Sequence, residues 1–144
     1  MRQQQLDDHG RARHQVALGI GAALLLLLLA PLLAACRADR TMSDQAAMAL
    51  TGGNAERGRQ TIASYGCGTC HTIGGVPGAN ANVGPPLAGL GQRAYVAGVV
   101  PNTPDNLVRW IRHPQEVDSL TAMPDLGVKE SEARDIAAYL YTLR

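Results

Sequence analysis

The stretch Cys67-Gly68-Thr69-Cys70-His71 decides the fold of this chain. Two cysteines three positions apart project from one turn of backbone, so their sulfurs can reach two neighbouring edges of a planar porphyrin. The histidine that follows them can reach the central iron as its proximal ligand. Because C-x-x-C-H is the spacing of c-type haem attachment, we predict one haem c bonded covalently to Cys67 and Cys70 and ligated by His71.

Other uses of a C-x-x-C pair need different surroundings. A thioredoxin-like redox pair lies in a βαβ pattern, and a structural zinc ion needs a second pair of soft ligands. The sequence around the motif has no alternating or continuous run of β-branched residues, and the remaining cysteine is Cys36. A haem-free thiol carrier therefore fits this sequence less well than haem attachment does.

The first residues have the composition of an export signal or a membrane anchor. Three arginines precede an almost wholly apolar run over residues 16–35. The run ends in Leu33-Ala34-Ala35-Cys36, which resembles the lipobox of bacterial lipoproteins. We predict a lipoprotein-type signal peptide over residues 1–35 and lipidation of Cys36. A membrane anchor over the same run is the alternative, because about twenty apolar residues can span a bilayer.

Both alternatives place the rest of the chain on the periplasmic side of a bacterial membrane. Residues 36–144 carry ten basic and ten acidic side chains, so their net charge is near zero and no nucleic-acid-binding face is expected. The whole chain has no phenylalanine and one tryptophan, a small aromatic supply for a domain of this size. A haem would supply the missing apolar bulk.

Polarity and helical spacing divide this remainder into a tether and a helical domain. Residues 36–53 are predicted to be a tether, with a short helix over residues 46–50 as the competing possibility. Three longer helices are predicted, at 55–65 after the cap Asn54, at 104–113 after the cap Thr103 and before Pro114, and at 130–143, where Ser131 is a candidate cap.

Gly58 lies inside the first of these longer helices, where glycine costs about 1 kcal/mol relative to alanine. A close approach by another helix would explain this residue. We therefore expect the last helix, which carries Tyr139, to cross the first one at Gly58.

Residues 54–144 resemble a class I c-type cytochrome. The shared features are a glycine-bearing first helix, C-x-x-C-H, a Gly-Pro loop, a helix with a tryptophan, a Met-Pro pair and a closing Ala-Tyr-Leu helix. The resemblance implies an all-α fold of three to five helices wrapped around one covalently attached haem. It also implies roles for four residues: His71 and Met123 as the iron ligands, Pro85 as hydrogen-bond acceptor for the imidazole, and Trp110 as donor to a haem propionate.

Some of these roles have competing interpretations. Trp110 could equally be a core residue. His113, at a helix end, is the rival distal ligand. Further candidates for contact with the propionates are Arg93, Tyr95 and Asn102.

The segments Pro101–Leu107 and Trp110–Gln115 resemble the cytochrome c domain fused to subunit II of caa3-type oxidases. If His71 and Met123 fill both axial positions, the iron offers no place for a substrate. We therefore predict a membrane-tethered electron carrier rather than an enzyme, with respiratory redox proteins as partners and a terminal oxidase as the candidate among them. The alternative is a haem enzyme or gas sensor, peroxidase-like, with a displaceable distal ligand.

Overall fold

The computed structural model describes residues 43–143. The predicted signal peptide or anchor over residues 1–35, the predicted lipidation site Cys36 and the first part of the predicted tether lie outside the described residues. Between residues 43 and 143, no helix combines the length and the apolar character needed to cross a membrane.

The described residues form five α-helices, two short 3-10 turns and one short antiparallel ladder. The helices are α1 (residues 43–51), α2 (Ala55–Ser64), α3 (Pro104–Arg112), α4 (Pro114–Val117) and α5 (Glu130–Thr142). The 3-10 turns are Cys67–Thr69 and Leu90–Gln92, and the strands are β1 (Tyr95–Val96) and β2 (Val100–Pro101), with Val96 opposite Val100. The predicted all-α fold is confirmed.

Two helices begin where the sequence predicts. The side chain of Asn54 caps α2 by accepting a hydrogen bond from the Arg57 N–H at 2.8 Å. Thr103 caps α3 in the same way, and Pro104 is the first residue of that helix. Both caps satisfy an N–H group that the helix itself leaves without a partner.

Helix α5 begins at Glu130, as the sequence predicts, but its cap is not the candidate Ser131. Lys129 is its N-cap residue, and the Glu132 carboxylate accepts a hydrogen bond from the Lys129 N–H at 3.3 Å. Ser131 therefore lies inside the first turn and is not the cap. The same carboxylate accepts the hydroxyl of Tyr65 at 2.8 Å, so a contact with the end of α2 helps to place the start of α5.

Helices α2 and α5 cross at Gly58. A Cβ atom at this position would collide with the backbone carbonyl of Asp135 and lie 3.0 Å from the Ile136 nitrogen. The predicted close crossing is confirmed, although the residues in contact lie one turn before Tyr139. The Tyr139 hydroxyl instead donates a hydrogen bond to the Gly74 carbonyl at 2.6 Å.

Helix α1 lies within the segment predicted to be a tether. Its Ala47 is buried against Ala55 and Ala138. The carbonyl of Thr51, another buried residue, accepts a hydrogen bond from Arg134 Nη1 at 3.2 Å. Residues 43–51 are thus helical, which agrees with the competing possibility of a short helix over residues 46–50. The packing of this helix against the domain is a feature that the sequence does not predict.

Asp135 joins α5 to the start of α2 through a nearly buried carboxylate. It accepts hydrogen bonds from the Asn54 N–H at 2.6 Å and from Arg57 Nε and Nη2 at 2.8 and 2.9 Å. Burial by itself would raise the pKa of Asp135, but the hydrogen bonds from Arg57 and Asn54 outweigh it and lower the pKa. The folded state therefore favours the charged carboxylate.

Asp135→Asn should lower the free energy of unfolding by about 1–2 kcal/mol at neutral pH. Both oxygens of the carboxylate accept hydrogen bonds, from Asn54 and Arg57, whereas an asparagine side chain has only one oxygen that can accept. A lowered pKa stabilises the fold above about pH 3.9, the value of an unfolded aspartate, and this stabilisation is lost as the pH falls through the folded-state pKa. Thermal melts followed by far-UV circular dichroism should show the difference between wild type and variant shrinking below about pH 4. Glu56→Gln, in an exposed ion pair with Arg59, is the control and should change little. A difference that persists unchanged in acid would contradict the role of the charge.

Candidate haem site

A cavity of about 380 Å³ opens beside the core. Its apolar wall comes from helices α2, α3 and α5 and from the loops between them, and it includes Ile62, Leu87, Leu90, Leu107, Ile111, Ile136 and Leu140. The six residues predicted to bind the haem all line this cavity: Cys67, Cys70, His71, Pro85, Trp110 and Met123. The fold therefore brings together residues that are up to 56 positions apart in the sequence.

The two cysteines lie at a 3-10 turn directly after α2. The amides of Cys70 and His71 both donate to the Cys67 carbonyl, at 3.3 and 3.1 Å, which closes the turn. Both thiols are free. Burial raises the pKa of the Cys67 thiol, because the apolar surroundings disfavour the charged thiolate.

His71 is oriented by the loop that contains Pro85. Its Nδ1 lies 2.8 Å from the Pro85 carbonyl oxygen, the contact that the resemblance implies. Because a carbonyl can only accept, Nδ1 carries the proton and the lone pair of Nε2 is free to bind a metal. The Gly84 N–H donates to the Cys70 carbonyl at 2.7 Å, which holds this loop against the cysteine turn.

Gly84 is a site residue that the sequence reasoning missed. A Cβ atom on it would collide with Cε1 of the His71 ring and lie 2.8 Å from Nδ1. The imidazole therefore packs directly against the Gly84 backbone, where there is no room for a side chain. The signal that could have found it is the Gly-Pro pair, in which the glycine immediately precedes the predicted hydrogen-bond acceptor.

Met123 reaches the cavity from the segment between α4 and α5. Its thioether is a soft donor of the kind that binds haem iron beside an imidazole. The rival ligand His113 is not part of the cavity lining found among the described residues. Its Nδ1 instead lies 3.6 Å from the Asp125 carboxylate.

The candidate propionate contacts divide into two groups. Trp110, Arg93 and Tyr95 line the cavity. Asn102 does not line it: its amide donates to the Leu90 carbonyl at 2.7 Å, and its oxygen accepts the Tyr141 hydroxyl at 2.9 Å. Asn102 therefore joins the ladder region to α5 and is committed to structural hydrogen bonds.

The donor set fits a covalently attached haem. The cavity offers two free thiols at the attachment spacing, one imidazole with a fixed tautomer and one thioether. Most of the remaining wall is aliphatic, as the apolar face of a porphyrin requires.

A family model described as "Cytochrome c" matches residues 55–144. The chain belongs to the cytochrome c family. This cytochrome domain is also 36% identical over 93 residues to the cytochrome c oxidase subunit 2 of Alkalihalophilus pseudofirmus. The match covers 62% of this chain and 26% of that subunit, so the chain spans about a quarter of the length of this relative. No solved structure matches the chain significantly.

Family membership and this similarity confirm the predicted class I c-type cytochrome and its likeness to an oxidase-associated domain. They imply a covalently bound haem c and the general function of a haem electron carrier.

Proposed function

We propose that this protein is a membrane-tethered monohaem cytochrome c that passes single electrons to or from a terminal oxidase on the periplasmic side of a bacterial membrane. The observation that carries the proposal is that His71, Met123 and both cysteines line one cavity. The two cysteines would hold the haem covalently, and the histidine and methionine would fill its two axial positions.

The bound haem supplies a one-electron couple. The chain sets the properties of that couple through its axial residues. His71, held by the Pro85 carbonyl, supplies an imidazole whose basicity and orientation are fixed. Met123 supplies a soft thioether, which raises the reduction potential. With both positions filled, no coordination site is left for a substrate, which favours electron transfer over catalysis.

An oxidase as partner is supported by the relative with that printed name and by the Pro101–Leu107 and Trp110–Gln115 segments. Tethering is supported by the lipobox-like residues that end at Cys36. Six residues lie between Cys36 and Ser43, the first described residue, and the seven Cα–Cα steps can reach at most about 25 Å. A lipid on Cys36 would therefore keep the domain beside the membrane and raise its effective concentration near a membrane-bound partner.

Wild-type protein, expressed with a periplasmic haem-ligation system, should incorporate labelled fatty acid. In its reduced form it should also support oxygen uptake by oxidase-containing membranes of the same source. Cys36→Ser should incorporate no label and should support several-fold less uptake at equal protein concentration, because the carrier is no longer confined to the surface. Both measurements use the full chain.

Label in neither protein would refute lipidation and leave a membrane anchor as the alternative. If the membranes take up oxygen equally fast with and without this protein, the oxidase is excluded as its electron acceptor. Peroxide turnover by the purified protein in place of uptake would move the function to a haem enzyme.

A further inference from the structure

The segment between α4 and α5, residues 118–129, contains Met123 and forms no helix or strand. We call it the Met loop. Several of its hydrogen bonds are internal, from the N–H of one loop residue to the side chain two positions earlier: Leu120 to Asp118, Met123 to Thr121 and Gly127 to Asp125. Such bonds shape the loop but do not attach it to the rest of the domain.

Gln115 of α4 provides an attachment from outside the loop. Its side-chain Nε2 donates a hydrogen bond to the Met123 carbonyl at 2.7 Å. The glutamine is itself well placed, because the preceding Pro114 is among the most completely buried side chains of the described residues. Gln115 itself is exposed, so α4 is fixed by the buried Pro114 and presents the donor from the surface to the backbone of the residue whose side chain lines the cavity.

The tripeptide His113-Pro114-Gln115 makes a second contact with the Met loop. His113 lies 3.6 Å from Asp125, two residues beyond Met123. The sequence His113-Pro114-Gln115 thus contacts the loop at Met123 and directly after the Met-Pro pair, at Asp125.

We propose that Gln115 is a positioning residue for the distal ligand, which sets how readily Met123 gives up its place to an exogenous ligand. The inference rests on the proposed ligation by Met123. A methionine side chain has three rotatable bonds, and its loop lacks regular structure, so little else orders the thioether. Fixing the Met123 backbone lowers the population of conformations in which the thioether is withdrawn from the cavity.

Haem-loaded, full-length Gln115→Ala and Gln115→Glu should both bind imidazole in the oxidised state about fivefold more tightly than wild type. Fivefold corresponds to about 1 kcal/mol, the net contribution of one hydrogen bond. The glutamate variant preserves shape but has no donor at neutral pH, so it separates loss of the hydrogen bond from loss of packing. The rate of binding at saturating imidazole, which reports release of Met123, should rise in parallel.

Gln92→Ala, at an exposed position in the second 3-10 turn, is the matched control and should bind imidazole as wild type does. Gln115→Lys, which restores a donor, should recover part of the wild-type resistance. If the wild type shows the thioether-to-iron charge-transfer band but both donorless variants bind imidazole like wild type, the positioning role of Gln115 is refuted. If the wild type lacks that band, ligation by Met123 itself is refuted, and the inference about Gln115 with it.

Discussion

A chain with serine in place of both Cys67 and Cys70 should carry no covalent haem and should lose most of its helical structure. Without haem, the cavity of about 380 Å³ would leave the surrounding side chains unpacked. Burying one leucine or isoleucine side chain contributes about 1.5–3 kcal/mol, and several such side chains form the cavity wall. Their exposure to water would therefore cost an amount comparable to the whole stability of a typical domain. Haem-dependent peroxidase staining after denaturation, together with far-UV circular dichroism, measures both effects.

The control for this experiment is Cys36→Ser, which lies outside the motif and should keep the covalent haem stain. Each single cysteine variant should retain at most one thioether bond and should show a shifted spectrum of its reduced pyridine adduct. Covalent stain in the double serine variant would show attachment elsewhere in the chain. A native-like circular dichroism spectrum without haem would show that the cavity collapses at little cost.

The features that the sequence predicts best depend on residues close together in the chain. Asn54 and Thr103 cap their helices by accepting from N–H groups three positions later, so nothing outside the segment has to be known. The cysteine turn is also local, since its closing hydrogen bonds run from Cys70 and His71 to Cys67. Such interactions can be recognised from spacing and side-chain chemistry alone.

The features that it predicts poorly depend on contacts between distant segments. Helix α1 packs through Ala47 against Ala138, and small alanine contacts leave no distinctive periodicity in a polar, alanine-rich sequence. The start of α5 is set partly by Glu132, which binds both the Lys129 N–H and the Tyr65 hydroxyl. The sequence offers Ser131 as a candidate cap without deciding for it, and the contact between Glu132 and Tyr65 is a tertiary one that local spacing does not reveal.

The candidate site shows the same division. The attachment motif is contiguous, and the family resemblance assigns Pro85 and Met123 before any distance is known. Gly84 and Gln115 both lie in sequence features that the resemblance includes, the Gly-Pro pair and the Trp110–Gln115 segment. Their individual roles depend on contacts across the fold, with the His71 ring for Gly84 and with the Met123 carbonyl for Gln115.

Met123→Ala should abolish the thioether-to-iron charge-transfer band and lower the reduction potential. The expected fall is on the order of 0.1 V or more, because axial ligands and their surroundings set haem potentials over a range of about 0.8 V and a thioether favours the ferrous state. The variant should also bind imidazole far more tightly than Gln115→Ala does, since no internal ligand competes. Absorption spectra and a spectroelectrochemical titration of the haem-loaded protein measure these effects.

Met48→Ala is the matched control, because Met48 lies in α1, is half exposed and is not part of the cavity lining found among the described residues. It should leave both the band and the potential unchanged. The decisive comparison is with His113→Ala. If that variant lost the low-spin spectrum while Met123→Ala kept it, histidine would be the distal ligand. His113 would then have to leave Asp125, 3.6 Å away, and enter a cavity that Met123 already lines, which requires rearrangement of the Met loop that Gln115 holds.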